Sequence, residues 1–144
     1  MSVKTNKSIK SVSPLLQVAD LQRSRAYYTD TLGFAEDWFD GDGFAIMRRG
    51  DCSIFLAQKQ TDVDLRNQTA RAAQDGYANY DLHFHCAPGT IEDLWAEYRD
   101  AGAKMPDVFA DGPIKRDYGI QDFSITDPDG YDLVFGAPLS KEAV

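Results

Sequence analysis

The sequence predicts an α+β fold in which two βαβββ modules form a cup-shaped mixed sheet around a shared cavity. Three observations carry this expectation. The order strand, helix, three strands occurs twice; a glycine closes each helix, at Gly33 and Gly102; and a polar stretch without strand signals separates the copies. The boundaries that follow are a tail over 1–10, a first module over 11–58, a polar connector over 59–79, a second module over 80–137 and a short tail over 138–144.

The elements follow in order. Val12 to Val18 reads as a strand, and Asp20 is placed to cap a helix from Leu21 to about Leu32, where Leu21, Ala26, Tyr27, Tyr28 and Leu32 recur at helical spacing. Strands are expected at Ala35 to Phe39, Phe44 to Arg48 and Ser53 to Ala57, broken by Gly41-Asp42-Gly43 and Arg49-Gly50-Asp51. The connector carries one weakly helical piece around Leu65 to Ala73. In the second copy come a strand Asp81 to Cys86, a Pro88-Gly89 turn, a helix Ile91 to Ala101, and strands near Val108, at Gln121 to Thr126 and at Tyr131 to Phe135. Asp127-Pro128-Asp129-Gly130 ahead of the last strand is a tight turn by local physics. Trp95 and Tyr98 read as core or subunit-interface residues.

Composition narrows the function. The chain has 144 residues, 43% of them hydrophobic and 12% aromatic, enough to fill one domain's core. A formal charge of −8 and a pI near 4.6 repel phosphate backbones and anionic headgroups, so neither nucleic acid nor membrane is an expected partner. A neutral or cationic small molecule suits the chain better. Met1 to Lys10 lacks the apolar segment of a secretory signal, which predicts a cytoplasmic location, and Cys52 and Cys86 read as reduced thiols.

The two histidines fall in Asp81-Leu82-His83-Phe84-His85-Cys86, where strand periodicity puts Asp81, His83 and His85 on one face. Two imidazoles one pleat apart can share a metal ion, and Asp132 on the last strand is the carboxylate able to complete a triad. The alternative is that these side chains line a polar pocket. No Gly-x-Ser-x-Gly, Gly-x-Gly-x-x-Gly or phosphate-loop signature occurs, and Cys86 points away from His85, so nucleophilic and phosphate-cofactor chemistry lack support. Trp38, Phe39, Phe44 and Tyr118 sit at turn-flanked strand edges, positions suited to stacking on planar ligands.

Taken together, Val18-Ala19-Asp20-Leu21 leading into a Tyr27-Tyr28 helix, Leu32-Gly33-Phe34, and the closing Asp127-Pro128-Asp129-Gly130 resemble the glyoxalase, bleomycin-resistance and extradiol-dioxygenase superfamily, also called vicinal oxygen chelate. The resemblance spans Val12 to Ala137. It implies four metal-ligand positions, which fall here on Ser13, Phe55, Asp81 and Val134, and only Asp81 could ligate. The chain is therefore more similar to the metal-free bleomycin-resistance proteins. That likeness implies no cofactor and a homodimer with ligand pockets between subunits, where Trp38, Phe44 and Tyr118 stack on a planar group. Phe55, Asp81, His83, His85 and Asp132 complete the expected ligand-binding set. The rival expectation is an enzyme, a glyoxalase-like lyase or ring-cleaving dioxygenase or isomerase. It would use a divalent metal at His83, His85 and Asp132, or His83 or His85 as a metal-free general base.

Overall fold

The computed structural model describes residues 8–61 and 80–139. The first module runs β1 (Leu15–Val18), α1 (Leu21–Ala26), a π-helical turn (Tyr27–Thr31), β2 (Ala35–Phe39), β3 (Phe44–Arg49) and β4 (Cys52–Gln58). The second runs β5 (Leu82–His85), α2 (Ile91–Asp100), a 3-10 turn (Asp107–Phe109), β6 (Ile114–Lys115), β7 (Ile120–Thr126) and β8 (Asp132–Pro138). Each makes a four-stranded sheet of the same topology, β1-β4-β3-β2 and β5-β8-β7-β6, in which only the first and last strands of the module pair in parallel. This is the expected mixed α+β architecture.

Alternation explains both sheets. Leu16, Val18, Ala45, Met47, Ile54 and Leu56 are buried against Leu21, Tyr28 and Leu32 of the helical segment, while their strand neighbours face outward. In the second module Phe123, Ile125, Leu133, Phe135 and Ala137 bury against Ile91, Trp95 and Tyr98, so the last two are core residues. Asp20 caps α1 through its side chain, which accepts the Arg23 N–H.

The expected strand near Val108 is replaced by the 3-10 turn, with Val108 exposed and Phe109 buried; Pro106 starts the turn, and the Phe109 carbonyl accepts the Trp95 indole N–H at 2.9 Å. The edge strand comes later, at Ile114–Lys115. The first strand begins at Leu15 rather than Val12. The first helix leaves α geometry at Tyr27 because Leu32 N–H reaches the Tyr27 carbonyl, one residue beyond the α partner, while Thr29 Oγ1 bonds back to the Arg25 and Ala26 carbonyls. The helical piece around Leu65 to Ala73 lies outside the described residues. Among the described residues no helix is long and apolar enough to cross a membrane.

The modules join along their helix-bearing sides, and their buried residues form one core. Tyr28 donates to Asp127 at 2.8 Å, Tyr98 donates to the Leu32 carbonyl at 2.9 Å, Arg49 pairs with Glu97 at 2.6 Å, and the rings of Phe34 and Phe84 meet edge-on. Asp129 receives the Ala19 N–H, Arg23 and Ser24, so the Asp127–Gly130 turn grips the start of α1 as well as turning the chain. Gly33 is required here: its φ is +75°, and a Cβ would stand 2.5 Å from Arg49 Nη1.

Candidate functional site

Because the modules meet through their helix-bearing sides, each sheet leaves its other face open. On the first sheet the register places Leu15, Phe55, Ile46 and Trp38 side by side across all four strands. Phe44 lies one pair along, its ring 6.1 Å from Trp38 and 5.4 Å from Phe55. A β-bulge between Glu36 and Trp38 re-aims the edge strand there, and Trp38 remains 51% exposed. Three of the sequence-predicted ligand residues, Trp38, Phe44 and Phe55, are thus gathered into one apolar row.

The second sheet has a different open face. His83 pairs with Val134, which pairs with Ser124; His85 pairs with Gly136, which pairs with Asp122. The two imidazoles lie 4.7 Å apart, and Tyr80 packs on His83. Phe84 points the other way, stacked on Phe135 in the core, which is the alternation expected of this strand. His83 leans over Gly136, where a Cβ would come within 3.1 Å of Nε2, so the missing side chain makes room for the ring. Burial is the main cause that lowers the His83 pKa, helped by His85 and opposed by Asp122.

Asp122 is buried and held by Arg116, with contacts at 2.8 and 3.2 Å, and that bond raises the Arg116 pKa against partial desolvation. Asp122, Arg116 and Gly136 escaped the sequence reading. For Asp122 the signal was present: Asp122, Ser124 and Thr126 alternate with Phe123 and Ile125 on β7.

The carboxylates expected near the histidines are engaged at the strand ends. Asp81 Oδ2 accepts the Asp132 N–H at 2.8 Å, and Asp132 Oδ1 accepts the Thr126 hydroxyl at 3.2 Å. Among the described residues no three or more His, Cys, Asp and Glu side chains group closely enough to hold a metal ion, so His83, His85 and Asp132 are not assembled as a ligand triad. Tyr118 stands 72% exposed in the turn between β6 and β7, on the second module, away from the strands that carry Trp38 and Phe44.

Residues 9–135 match the family described as the Glyoxalase/Bleomycin resistance protein/Dioxygenase superfamily. The chain belongs to this superfamily. Solved structures agree in fold. A glyoxalase/bleomycin resistance protein/dioxygenase from Alicyclobacillus acidocaldarius superposes with a TM-score of 0.71 at 12% identity, covering 94% of this chain and 96% of its own. The bleomycin-binding protein of bleomycin-producing Streptomyces verticillus, solved with copper(II)-bleomycin, gives 0.61 at 22% identity, covering 89% and 95%. A lactoylglutathione lyase from Agrobacterium tumefaciens gives 0.62 at 15%, covering 91% and 96%. No curated protein matches. The superfamily thus holds both small-molecule binders and enzymes.

The metal that the superfamily's enzymes bind can be tested against the matching positions. Phe55 sits in the apolar row, Val134 is an apolar strand residue between His83 and Ser124, and Asp81 is bonded to backbone. With Ser13 as the fourth member, this donor set does not fit a divalent cation.

Proposed function

We propose that this protein is a metal-free, homodimeric binder of the bleomycin-resistance type, sequestering a planar, cationic small molecule in the cytoplasm. The observation that carries the reading is the apolar row ending in a half-exposed Trp38 on an open sheet face. An indole in that setting offers a flat stacking surface and a cation–π partner, and the charge of −8 favours a positive ligand.

A homodimer suits the same geometry. With the helix-bearing sides spent on each other, a second copy can lay its His83-bearing face opposite the Trp38 row. That brings Tyr118, His83 and Asp132 of one protomer to Trp38, Phe44 and Phe55 of the other and encloses the ligand from both sides.

The test is a fluorescence titration with metal-free bleomycin and with smaller planar cations. The chain has two tryptophans, and Trp95 is buried, so saturable quenching that disappears in Trp38→Phe reports the open face. Light scattering should give a dimer mass. A monomer, or quenching unchanged in Trp38→Phe, overturns the reading.

One observation favours a second reading. Burial disfavours the charged form of His83 more than Asp122 favours it, and a neutral imidazole is the state that accepts a proton from carbon next to a carbonyl, as in a metal-free lyase or isomerase. Turnover lost in His83→Gln while Trp38 quenching persists would support it.

A further inference from the structure

Two cysteines line one groove between the modules, which His85 of the second open face also borders. This groove, about 230 Å³, runs between the modules and is lined by Phe34, Arg49, Cys52, Phe84, Cys86 and Tyr98 among others. Cys52 opens β4 in the first module, and Cys86 follows β5 in the second. Both are half-buried, and they are the chain's only cysteines, so neither has a competing partner within the molecule. The Cys86 N–H is fixed on the Gly136 carbonyl at 2.8 Å. Burial raises the Cys86 pKa, and Cys52 is near enough to raise it further, against a smaller opposing effect from Arg49.

We propose that Cys52 and Cys86 are a redox pair that closes to a disulfide across this groove when the protein meets a two-electron thiol oxidant. With a diazene such as diamide, the first thiolate adds across N=N. The second thiol displaces the hydrazine, its proton going to nitrogen. Two S–H bonds are lost, one S–S bond forms, and the diazene leaves reduced by two electrons and two protons. The apolar part of the lining, Phe34, Phe84, Leu94 and Phe135, suits this product, because a disulfide needs neither charge nor hydrogen bonds. The bond would tie the two modules by a covalent link at the edge of their packed core. The inference stands independently of the ligand reading.

The experiment uses the full chain treated with diamide. The monomer mass should fall by two hydrogens, and peptide mapping should find Cys52 linked to Cys86. The midpoint of thermal unfolding should rise by about 10 °C, because the cross-link restricts the unfolded chain, and fall back on adding reductant. Cys86→Ser should abolish all three changes. Oxidised wild type that carries separate adducts, or whose cysteines link different chains, overturns the proposal. If Cys86→Ser does not fold, wild type treated with dibromobimane decides, since this reagent becomes bright when it bridges two neighbouring thiols: a bright monomer supports the pair and a dark one overturns it.

Discussion

The two modules share one topology and bury the same kind of side chain under their helices, yet their open faces are chemically opposite. Leu15, Ile46, Phe55, Phe44 and Trp38 make the first apolar and aromatic; His83, Asp122, Arg116, Ser124 and Asp132 make the second polar and titratable. The fold depends on the alternate residues that face the helices. The intervening positions are free to specialise, and in the proposed dimer two different faces would hold an aromatic ring on one side and a polar group on the other.

The largest effect should come from what the modules share. Tyr98 is fully buried at the joint, so Tyr98→Ala should cost about 3–5 kcal/mol in urea unfolding, and in a single transition, because both modules lose their common core. Tyr98→Phe, losing only the hydroxyl bonded to the Leu32 carbonyl, should cost about 1 kcal/mol. Two separate transitions in Tyr98→Ala would show that the modules are stable independently.

Next comes pH. Burial raises the Asp127 pKa to about 6, against the lowering effect of its bonds from Tyr28 and two backbone N–H groups. The folded chain therefore binds a proton more readily than the unfolded one, so stability should fall as pH rises from the ordinary carboxyl value towards 6. The loss should be on the order of 3 kcal/mol, and Asp127→Asn should flatten that slope. His83 has the opposite sign. Its lowered pKa means the unfolded chain binds the proton better, so its contribution is lost as pH falls through the unfolded histidine's range. Urea midpoints measured across pH in wild type, Asp127→Asn and His83→Gln separate the joint from the open face.

The two faces can then be tested separately. Trp38→Ala should weaken binding of a planar cation about tenfold with no loss of unfolding midpoint, because the indole is half outside the core. Gly136→Ala should have a small effect on stability, about 1 kcal/mol. Its methyl meets His83 Nε2 and should tilt the imidazole outward, raising the His83 pKa towards its ordinary value in an NMR titration.

Much of the fold was legible because it is written locally. Alternation on β3, β4, β7 and β8 and the glycine stops at Gly33 and Gly102 each depend on a few neighbouring residues. Val108 misled because its β-branched side chain sits in a turn set by Pro106 and by the distant Trp95 indole. The site was legible in part. Trp38, Phe44 and Phe55 were named singly, but that they form one row is a matter of cross-strand register, which no local pattern records. Asp81 and Asp132 have the right chemistry for ligands, yet bonds across strands engage both.

The bulge between Glu36 and Trp38 has a consequence for how the protein behaves in concentrated solution. β2 is the outer strand of its sheet, a place where unpaired backbone can recruit a strand from another molecule. Here the register is broken, Glu36 and Asp37 are tied to Arg25 and Arg48, and the Arg25 guanidinium covers Phe39. That border is closed to runaway stacking. The opposite border is β1, where the Gln17 carbonyl accepts the Tyr131 hydroxyl at 2.7 Å and the Ala19 N–H just beyond it donates to Asp129, so the second module itself occupies part of the backbone that another strand would need.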